Sequence, residues 1–359
     1  MIIYIIAILC FLSAAASLLW VALGDPIQVE FSPLKILRYS ISAQDMDKIV
    51  YHVRIIHDRL ARETGPTESA GIKPYRALDV FNEDPNMQRS ADMELPILIG
   101  KDADQKLHYA DLAKLPHVLI AGLTSFGKSM CFQNFIFWLG KSQNKVDVHA
   151  IDPKQTGFTR FVFSKKPVIN VISKEEEYAN KLDQLVEEMY TRNALMRRLS
   201  FKDIGDYNEH METKLHYIVL MIDEFQDLAR KQQDGLKKLA RMGRSAGIHL
   251  VLGTQNPNGV DIDPTILQQL AGVISFRLRN QSAAKRILGE GGAEQLKEKG
   301  EMMFKCATDH FKGRSPLAEL KDFEFYKDYK EAQKAAIDEF LDEKKEITTQ
   351  RGRPRKDLV

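Results

Sequence analysis

From about residue 95 onward the chain alternates short apolar runs with longer amphipathic stretches. The apolar runs have the length of buried strands and occupy residues 118–121, 146–151, 217–222, 249–253 and 273–276. Between them lie stretches of helical length, notably 174–199 and 231–245. Buried strands that alternate with helices are typical of a mostly parallel sheet covered by helices on both faces. The pattern therefore predicts an α/β fold over residues 95–316.

The first 24 residues form one apolar run without a charged side chain. About 20 apolar residues in a helix cross the hydrocarbon core of a bilayer, and Trp20 stands near one end, where interfacial aromatic residues are common. The small residues at 14–17 leave open a cleaved signal peptide, although no positive n-region precedes the run. The first basic residues after it are Lys35 and Arg38, so the positive-inside rule favours a single-pass anchor at residues 1–24 in the inner or cell membrane, with the following domain in the cytoplasm.

The segment between this run and the predicted sheet has a mixed character. Residues 42–64 have the spacing of an amphipathic helix, with Ser42 as its N-cap. Glycines and prolines interrupt residues 65–93. We therefore predict that residues 25–94 form a helical linker or a small irregular region.

The C-terminal region, residues 317–359, is predicted to be a charged helix over 317–345 followed by a basic tail. The tail contains RGRPRK at 351–356, which resembles an AT-hook core that lies in a narrow A·T minor groove. A solvated basic terminus is the alternative. The further lysines that are candidates for a DNA path, with a solvated surface as their alternative, stand at 165–166, 231 and 237–238.

Composition narrows the class of protein. Of 359 residues, 44% are hydrophobic and 28% are charged, which is typical of a globular protein and excludes a disordered chain. Lys and Arg total 51 against 49 Asp and Glu, so the net charge of +2 excludes a surface that is basic throughout but not a local basic segment. The three cysteines have no C-x-x-C spacing, which disfavours a disulfide framework or a zinc site.

A phosphate-binding motif follows the first predicted strand. Residues 122–129, GLTSFGKS, match G-x-x-x-x-G-K-[ST] and lie between the strand 118–121 and the helical run 130–139. Glycines let backbone N–H groups point at phosphate oxygens, Lys128 would reach the β- and γ-phosphates, and the Ser129 hydroxyl would bind Mg²⁺. The predicted residues for ATP are Gly122, Leu123, Thr124, Ser125, Phe126, Gly127, Lys128 and Ser129.

Polar side chains follow two other predicted strands. The run 217–222 ends in Asp223 and Glu224. A carboxylate at this tip can hold Mg²⁺, so we assign Asp223 to the metal, and Glu224 is placed to orient or deprotonate the attacking water. The alternative is a strand followed by a solvated acidic turn. The strand 249–253 leads to Gln255, a candidate sensor of the γ-phosphate.

Several segments resemble FtsK/SpoIIIE-type DNA translocases in the family's order, and the resemblance covers roughly residues 95–305. These segments are 112–122, 151–154, 207–208, 217–228, 244–255, 291–296 and 300–302. The resemblance implies a RecA-like P-loop ATPase, usually a hexameric ring, that pulls double-stranded DNA through its channel. On matching positions it implies that Lys128 and Glu224 are catalytic. Ring ATPases complete the site with an Arg from the next subunit, for which Arg244 is the candidate and Arg241 the alternative.

The chain also departs from this family's pattern. Ser125 and Phe126 stand where relatives usually have Gly-Ser, and Asn256 stands where many have Arg. One membrane segment is expected instead of four, and no winged-helix module is expected after the motor. By analogy these departures favour a reduced coupling ATPase of a conjugative element, or an accessory translocase of a plasmid or phage, with a relaxase or a secretion channel as partner.

Two other functions stay open. The first is an ATPase that energises protein secretion, as the similar ATPases of type VII systems do. The second is a membrane-tethered nucleotide-binding scaffold with little hydrolysis, a hypothesis that rests on the bulky Phe126 in the phosphate loop.

Overall fold

The computed structural model describes residues 72–84, 90–155, 157, 158, 161, 169–257, 262–324, 326, 330, 331 and 334. The predicted anchor at 1–24, the predicted helix at 42–64 and the basic tail at 351–356 lie outside these residues and stay predictions. None of the helices formed by the described residues is both long and apolar enough to span a bilayer.

The described residues form ten strands, seven α-helices and three short 3₁₀ turns. The strands are β1 (Pro96–Asp102), β2 (Leu107–Asp111), β3 (His117–Ala121), β4 (Val146–Ile151), β5 (Asn170–Ile172), β6 (Tyr217–Ile222), β7 (Ile248–Thr254), β8 (Gly272–Ser275), β9 (Glu301–Cys306) and β10 (His310–Arg314). The helices are α1 (Ala77–Glu83), α2 (Lys128–Lys141), α3 (Glu175–Leu199), α4 (Ile204–His210), α5 (Arg230–Met242), α6 (Pro264–Gln269) and α7 (Gln281–Leu288). The 3₁₀ turns are Phe225–Asp227, Ala293–Gln295 and Leu320–Asp322.

All ten strands belong to one sheet with the order β2-β1-β10-β9-β8-β3-β7-β6-β4-β5. The six strands from β8 to β5 are parallel to one another. The strands β9, β10, β1 and β2 continue the sheet as antiparallel neighbours. The predicted α/β fold with a mostly parallel sheet is confirmed, and the five predicted strands are β3, β4, β6, β7 and β8, which all lie in the parallel part.

Buried residues form two clusters, as expected for a sheet covered on both faces. Val118 and Ile120 of β3 belong to the cluster that contains the buried side of α2. Leu119 and Ala121 belong to the other cluster, which contains the buried faces of α3 and α5. Successive side chains of a strand point to opposite faces, so each central strand supplies both clusters.

A cluster of aromatic side chains packs α1, which lies near the start of the described residues, against α2. Trp138 is buried and meets Phe81, Tyr109 and Phe137 edge to face, with ring centroids 5.6–6.1 Å apart. Phe81 belongs to α1, within the segment that the sequence analysis described as an interrupted linker. The described residues 72–84 therefore contribute to the packing of the sheet domain.

The predicted charged helix does not begin at Leu317. The N–H of Leu317 donates to the carbonyl of Tyr75 at 2.9 Å, and its carbonyl accepts from the N–H of Ala77 at 2.8 Å. This extended bridge precedes the 3₁₀ turn Leu320–Asp322, and the described helical positions are 326, 330, 331 and 334. The local charge pattern is helical, but backbone pairing with a segment about 240 residues away holds Leu317 extended.

Two histidines are buried where the central parallel strands begin. His117 starts β3 and accepts a hydrogen bond from the Leu250 N–H at 3.1 Å, while His249, the second residue of β7, is 1% exposed. Burial lowers the pKa of His117 to about 4 and that of His249 to about 3. The folded protein therefore holds both rings neutral at pH values where an unfolded chain would protonate them.

We expect the free energy of unfolding to fall as the pH drops from about 6.5 toward 4, because the unfolded chain then binds protons that the folded chain refuses. Each histidine contributes up to about 1.4 kcal/mol per pH unit in that window. Urea titrations of the full chain in detergent, followed by circular dichroism at several pH values, measure the slope. His249→Phe should flatten it, whereas His210→Phe, at an exposed histidine, is the control. Equal slopes for wild-type and His249→Phe would contradict this account.

Candidate nucleotide-binding site

The loop 122–129 connects the C-terminal end of β3 to the first turn of α2. Gly127, the N-cap of α2, has φ 129°, and a Cβ there would come within 2.7 Å of the Phe276 ring. A Cβ on Gly122 would approach the Cβ of Phe276 just as closely, at 2.7 Å. Phe276 therefore requires glycine at both positions of the motif. The loop ends at a helix N-terminus, where unpaired N–H groups and the helix dipole favour phosphate.

The two unusual residues of the loop have distinct environments. Ser125 has φ 69°, in the left-handed region that glycine adopts most easily. Phe126 is half-buried and packs against the hydrophobic cluster that contains α2. Its carbonyl accepts a hydrogen bond from the Gly300 N–H at 2.9 Å. The bulky side chain therefore contributes to the packing of the domain, and Gly300, just before β9, anchors the loop.

Three buried charged groups meet beside the loop. Lys128 is 5% exposed, and its Nζ donates to Asp223 Oδ1 at 2.5 Å and to Glu224 Oε1. Asp223 and Glu224 follow β6, which is separated from β3 by β7 alone. Glu224 has φ 57° and turns the chain into the 3₁₀ turn Phe225–Asp227. The predicted Lys128, Asp223 and Glu224 are thus brought together, and the alternative of a solvated acidic turn is wrong, since both acids are buried.

The two carboxylates respond differently to burial. Burial raises the pKa of Asp223, an effect that Lys128 offsets in part and that the neighbouring carboxylates Glu224 and Asp152 reinforce. Burial also acts to raise the pKa of Glu224, but Lys128, Gln226 and the Gln255 N–H outweigh it, and the net shift is downward. Glu224 is therefore the better stabilised anion of the pair.

Gln255 connects the phosphate loop to Glu224. Its backbone N–H donates to Glu224 Oε2 at 3.0 Å, and its side-chain Oε1 accepts from Thr124 Oγ1 at 2.7 Å. The predicted sensor thus touches both the loop and the predicted catalytic carboxylate. Gln226, for which no role was predicted from the sequence, donates to Glu224 Oε2 at 2.6 Å. Its place two residues after Glu224 in the 3₁₀ turn was the only available signal.

The donor set fits Mg²⁺ better than a metal that needs a full protein cage. Among the described residues, no group of three or more His, Cys, Asp or Glu side chains could hold a metal ion. Mg²⁺ is usually held by one or two carboxylates together with water and substrate phosphates. Asp223 supplies a buried carboxylate, and Ser129 lies in the first turn of α2 with a half-buried side chain. These are the two residues assigned to the metal from the sequence.

A third strand end contributes to the site. Asp152 follows β4, and its Oδ2 accepts from the N–H groups of Gly157 and Phe158, each at 2.8 Å. Lys154 Nζ lies 2.7 Å from Asp227 Oδ2 and so joins this segment to the turn after β6. Since β4 and β6 are adjacent parallel strands that end in register at Ile151 and Ile222, polar residues just beyond β4 were a signal for their proximity to Asp223.

Arg244 does not belong to this group within one chain. It is exposed and lies between α5 and β7, at the start of a strand whose other end leads to Gln255. The seven residues of β7 separate the two ends by roughly 20 Å. Arg241, the alternative, is exposed in the last turn of α5. Both lie on the opposite edge of the sheet from Lys128.

The lysines proposed for a DNA path fall into three groups. Those at 165–166 lie outside the described residues. Lys237 pairs with Asp234 at 2.8 Å and with Asp263 at 2.7 Å, so its charge is already balanced. Lys231 and Lys238 are exposed on α5 and keep their candidacy as phosphate contacts.

The chain is similar in sequence to several known proteins. The model of the FtsK/SpoIIIE family matches residues 82–259. The chain is 33% identical over 264 residues to the DNA translocase FtsK of Borreliella burgdorferi, which covers 70% of this chain and 34% of that protein. It is 32% identical over 317 residues to the DNA translocase FtsK of Leptospira interrogans, and this match covers 82% of this chain and 33% of that protein. The chain thus spans about a third of the length of these relatives.

Two solved structures share the fold. The monomer form of the pCW3 conjugation coupling protein TcpA with ATPγS aligns with a TM-score of 0.60 at 23% identity, covering 69% of this chain and 73% of that one. EssC (ATPases 2 and 3) from Geobacillus thermodenitrificans aligns with a TM-score of 0.58 at 17% identity, covering 68% and 50%. These likenesses establish the architecture of the domain.

We expect Lys128→Met to lower the free energy of unfolding at pH 7 by about 3 kcal/mol, because it leaves two buried carboxylates without their cation. Adding Glu224→Gln should recover part of the loss. Lys141→Met is the matched control, because its partner Glu324 is exposed and such surface pairs contribute about 1 kcal/mol or less. Urea unfolding of the full chain measures the free energy of unfolding of wild-type, the two single variants and the double variant. A Lys128→Met loss no larger than the Lys141→Met loss would contradict the assigned charge balance.

Proposed function

The chain carries a domain of the FtsK/SpoIIIE family at residues 82–259, and from this premise we propose that it hydrolyses ATP to translocate double-stranded DNA. The observation that carries the proposal is the buried contact of Lys128 with Asp223 and Glu224, joined through Gln255 to the phosphate loop. This arrangement supplies a phosphate ligand, a metal ligand, a base and a sensor at one sheet edge.

Nucleotide binding requires Lys128 to change partners. Its ammonium is held by Asp223 and Glu224, whereas in the proposed complex it contacts the β- and γ-phosphates. The N–H groups of the loop and of the α2 N-terminus receive the remaining phosphate oxygens. Asp223 and Ser129 would hold Mg²⁺, which would supply positive charge that offsets the charge of the phosphates.

Hydrolysis then depends on Glu224. Once Lys128 has moved to the phosphates, the Glu224 carboxylate is free to accept a proton from the water that attacks the γ-phosphorus. The bond from that phosphorus to the bridging oxygen breaks, and the products are ADP and inorganic phosphate. Gln226 and the Gln255 N–H hold Glu224 Oε2, so they orient the carboxylate. Because Gln255 also accepts a hydrogen bond from Thr124 of the loop, a change in the conformation of the loop would change the orientation of the carboxylate.

Duplex DNA is the proposed substrate because the relatives that the chain matches are DNA translocases. The likeness to EssC is one of fold alone, so an ATPase that moves protein is the second candidate. Phe126, on which the scaffold alternative rests, packs against the hydrophobic cluster that contains α2, and this supports the ATPase over the scaffold. Exposed Lys231 and Lys238 and the basic tail at 351–356 are the proposed phosphate contacts.

A homo-oligomeric ring, proposed to be hexameric, accounts for the position of Arg244. Within one chain, Arg244 lies across the sheet from Lys128, so it can act on ATP only at the site of a neighbouring copy. The same edge carries exposed Arg197 and Arg198 at the end of α3, and the N–H of Asn193 Nδ2 on that helix donates to the Met242 carbonyl of α5 at 3.2 Å. A basic edge of this kind is complementary to a nucleotide.

We further propose that residues 1–24 anchor the ring in the inner or cell membrane with the motor in the cytoplasm, as their uncharged apolar sequence supports. A relaxase or a secretion channel is the proposed partner class if the chain serves conjugative, plasmid or phage DNA transfer. Chromosome segregation is the other process open to a translocase of this kind.

Long linear duplex DNA should stimulate ATP turnover by the full chain about tenfold or more, with the stimulation falling as salt rises because bound phosphates release counterions. Glu224→Gln should lower kcat by about 10² or more while leaving MgATP binding intact. A coupled assay for phosphate release measures turnover, and calorimetry measures binding. Lys128→Ala should lose binding itself.

If duplex DNA did not change the rate of ATP hydrolysis, a protein would replace DNA as the proposed substrate. Wild-type turnover in Glu224→Gln would remove Glu224 from catalysis, and intact turnover in Lys128→Ala would remove the phosphate-loop assignment.

Mixing two inactive variants tests the shared site. Arg244→Ala and Lys128→Ala should each be inactive alone. Mixed rings should regain part of the activity, because Arg244 of a Lys128→Ala subunit faces the intact loop of an Arg244→Ala subunit. DNA-stimulated phosphate release is the readout, and Arg241→Ala, expected to stay active alone, is the matched control. No recovery on mixing would contradict the assignment of Arg244.

A further inference from the structure

The phosphate loop has a second wall, formed by the segment that leaves β8. β8 is the neighbour of β3 on the side away from β7. Phe276 packs against both motif glycines, and the carbonyl of the next residue, Arg277, accepts a hydrogen bond from the Leu123 N–H at 2.8 Å. The backbone of Arg277 is therefore fixed to the first turn of the loop, and its side chain starts from the rim of the phosphate site.

The Arg277 side chain stacks on the loop itself. Its guanidinium carbon lies 5.3 Å from the centroid of the Phe126 ring, within the range of a cation–π contact. A guanidinium that stacks through its face keeps its edge N–H groups available for hydrogen bonds. Arg277 is half-buried, and within the described part of the chain it makes no ion pair. Its donors are thus presented beside the loop without a described acidic partner.

The charges around the loop are unevenly distributed. On the β6 side, Lys128 faces two carboxylates. On the β8 side, Arg277 contributes a positive charge with no described carboxylate in ion-pair contact. Phosphate oxygens bound by the loop therefore have Lys128 on one flank and Arg277 on the other. Planar, bidentate recognition of phosphate is the interaction for which a guanidinium is best suited.

We propose that Arg277 is a second phosphate-binding cation of this site, acting on nucleotide bound to its own chain, and that Phe126 is the platform that holds it there. The proposal rests on the proposed function, because it requires nucleotide in the loop. It also gives a physical reason for an aromatic residue at position 126, since a small residue offers no face on which a guanidinium can stack. Phe126 is thus a positioning residue, and Arg277 is the ligand.

A double-mutant cycle on the full chain tests this pair, with the Kd for MgATP measured by calorimetry. Arg277→Gln should weaken binding about tenfold or more, the loss expected for a hydrogen bond between charged groups. Phe126→Leu, which keeps an apolar side chain but removes the ring, should weaken it about threefold. In the Phe126→Leu background, Arg277→Gln should cost less than it does in wild-type. Arg277→Lys should retain part of the affinity, because it keeps the charge.

Arg279→Gln is the matched control, since Arg279 is an exposed arginine two positions further along the same segment, and it should bind MgATP as wild-type does. The melting temperature without nucleotide separates a ligand from a structural brace. A brace would lower the melting temperature and leave the Kd of the folded protein unchanged. That result would overturn the proposal. So would an Arg277→Gln protein that binds MgATP as tightly as wild-type, or a double variant whose loss of affinity equals the product of the two single losses. If wild-type itself bound no MgATP, or if Lys128→Ala bound it normally, the nucleotide site and this inference would both fall.

Discussion

The buried contact of Lys128 with Asp223 and Glu224 is the interaction on which the rest of the site depends. Removing an ion from water costs several kcal/mol, so each of these groups is stable in place only while its partners are present. Lys128 comes from the start of α2 and the acids from the end of β6. The ion cluster therefore holds the phosphate loop and the acidic turn at a fixed distance across the sheet.

Under the proposed function, the same cluster is where the domain would respond to nucleotide. In the proposed nucleotide complex, Lys128 binds phosphate, and Glu224 loses its cation but keeps the hydrogen bonds from Gln226 and the Gln255 N–H. Gln255 also contacts Thr124 of the loop, and β7, the strand before it, begins at the edge that carries Arg244. In the proposed ring, this strand would connect the Glu224 carboxylate to a surface that faces another copy of the chain.

Some strands and helices of this fold could be predicted from the sequence and others could not. β3, β4, β6, β7 and β8 were predictable because they are buried apolar runs between helices. The antiparallel strands β2, β9 and β10 were not, since partial exposure breaks up their apolar pattern. The antiparallel strand β1 was not predicted either, although its first five residues are buried. A helix from Leu317 was expected from local charge, but pairing with Tyr75 and Ala77 prevents it, and such distant pairing leaves no local signal.

By itself the sequence determined the phosphate motif, the acids after β6 and Gln255, because strand period and motif spacing are local properties that place these residues at the carboxyl ends of parallel strands. The tertiary structure alone decided which residues complete the site. Phe276 and Arg277 border the loop because β8 lies beside β3, and Arg244 is remote from Lys128 because it precedes β7 instead of following it. Strand order depends on packing between segments far apart in the chain, and no local pattern of residues specifies it.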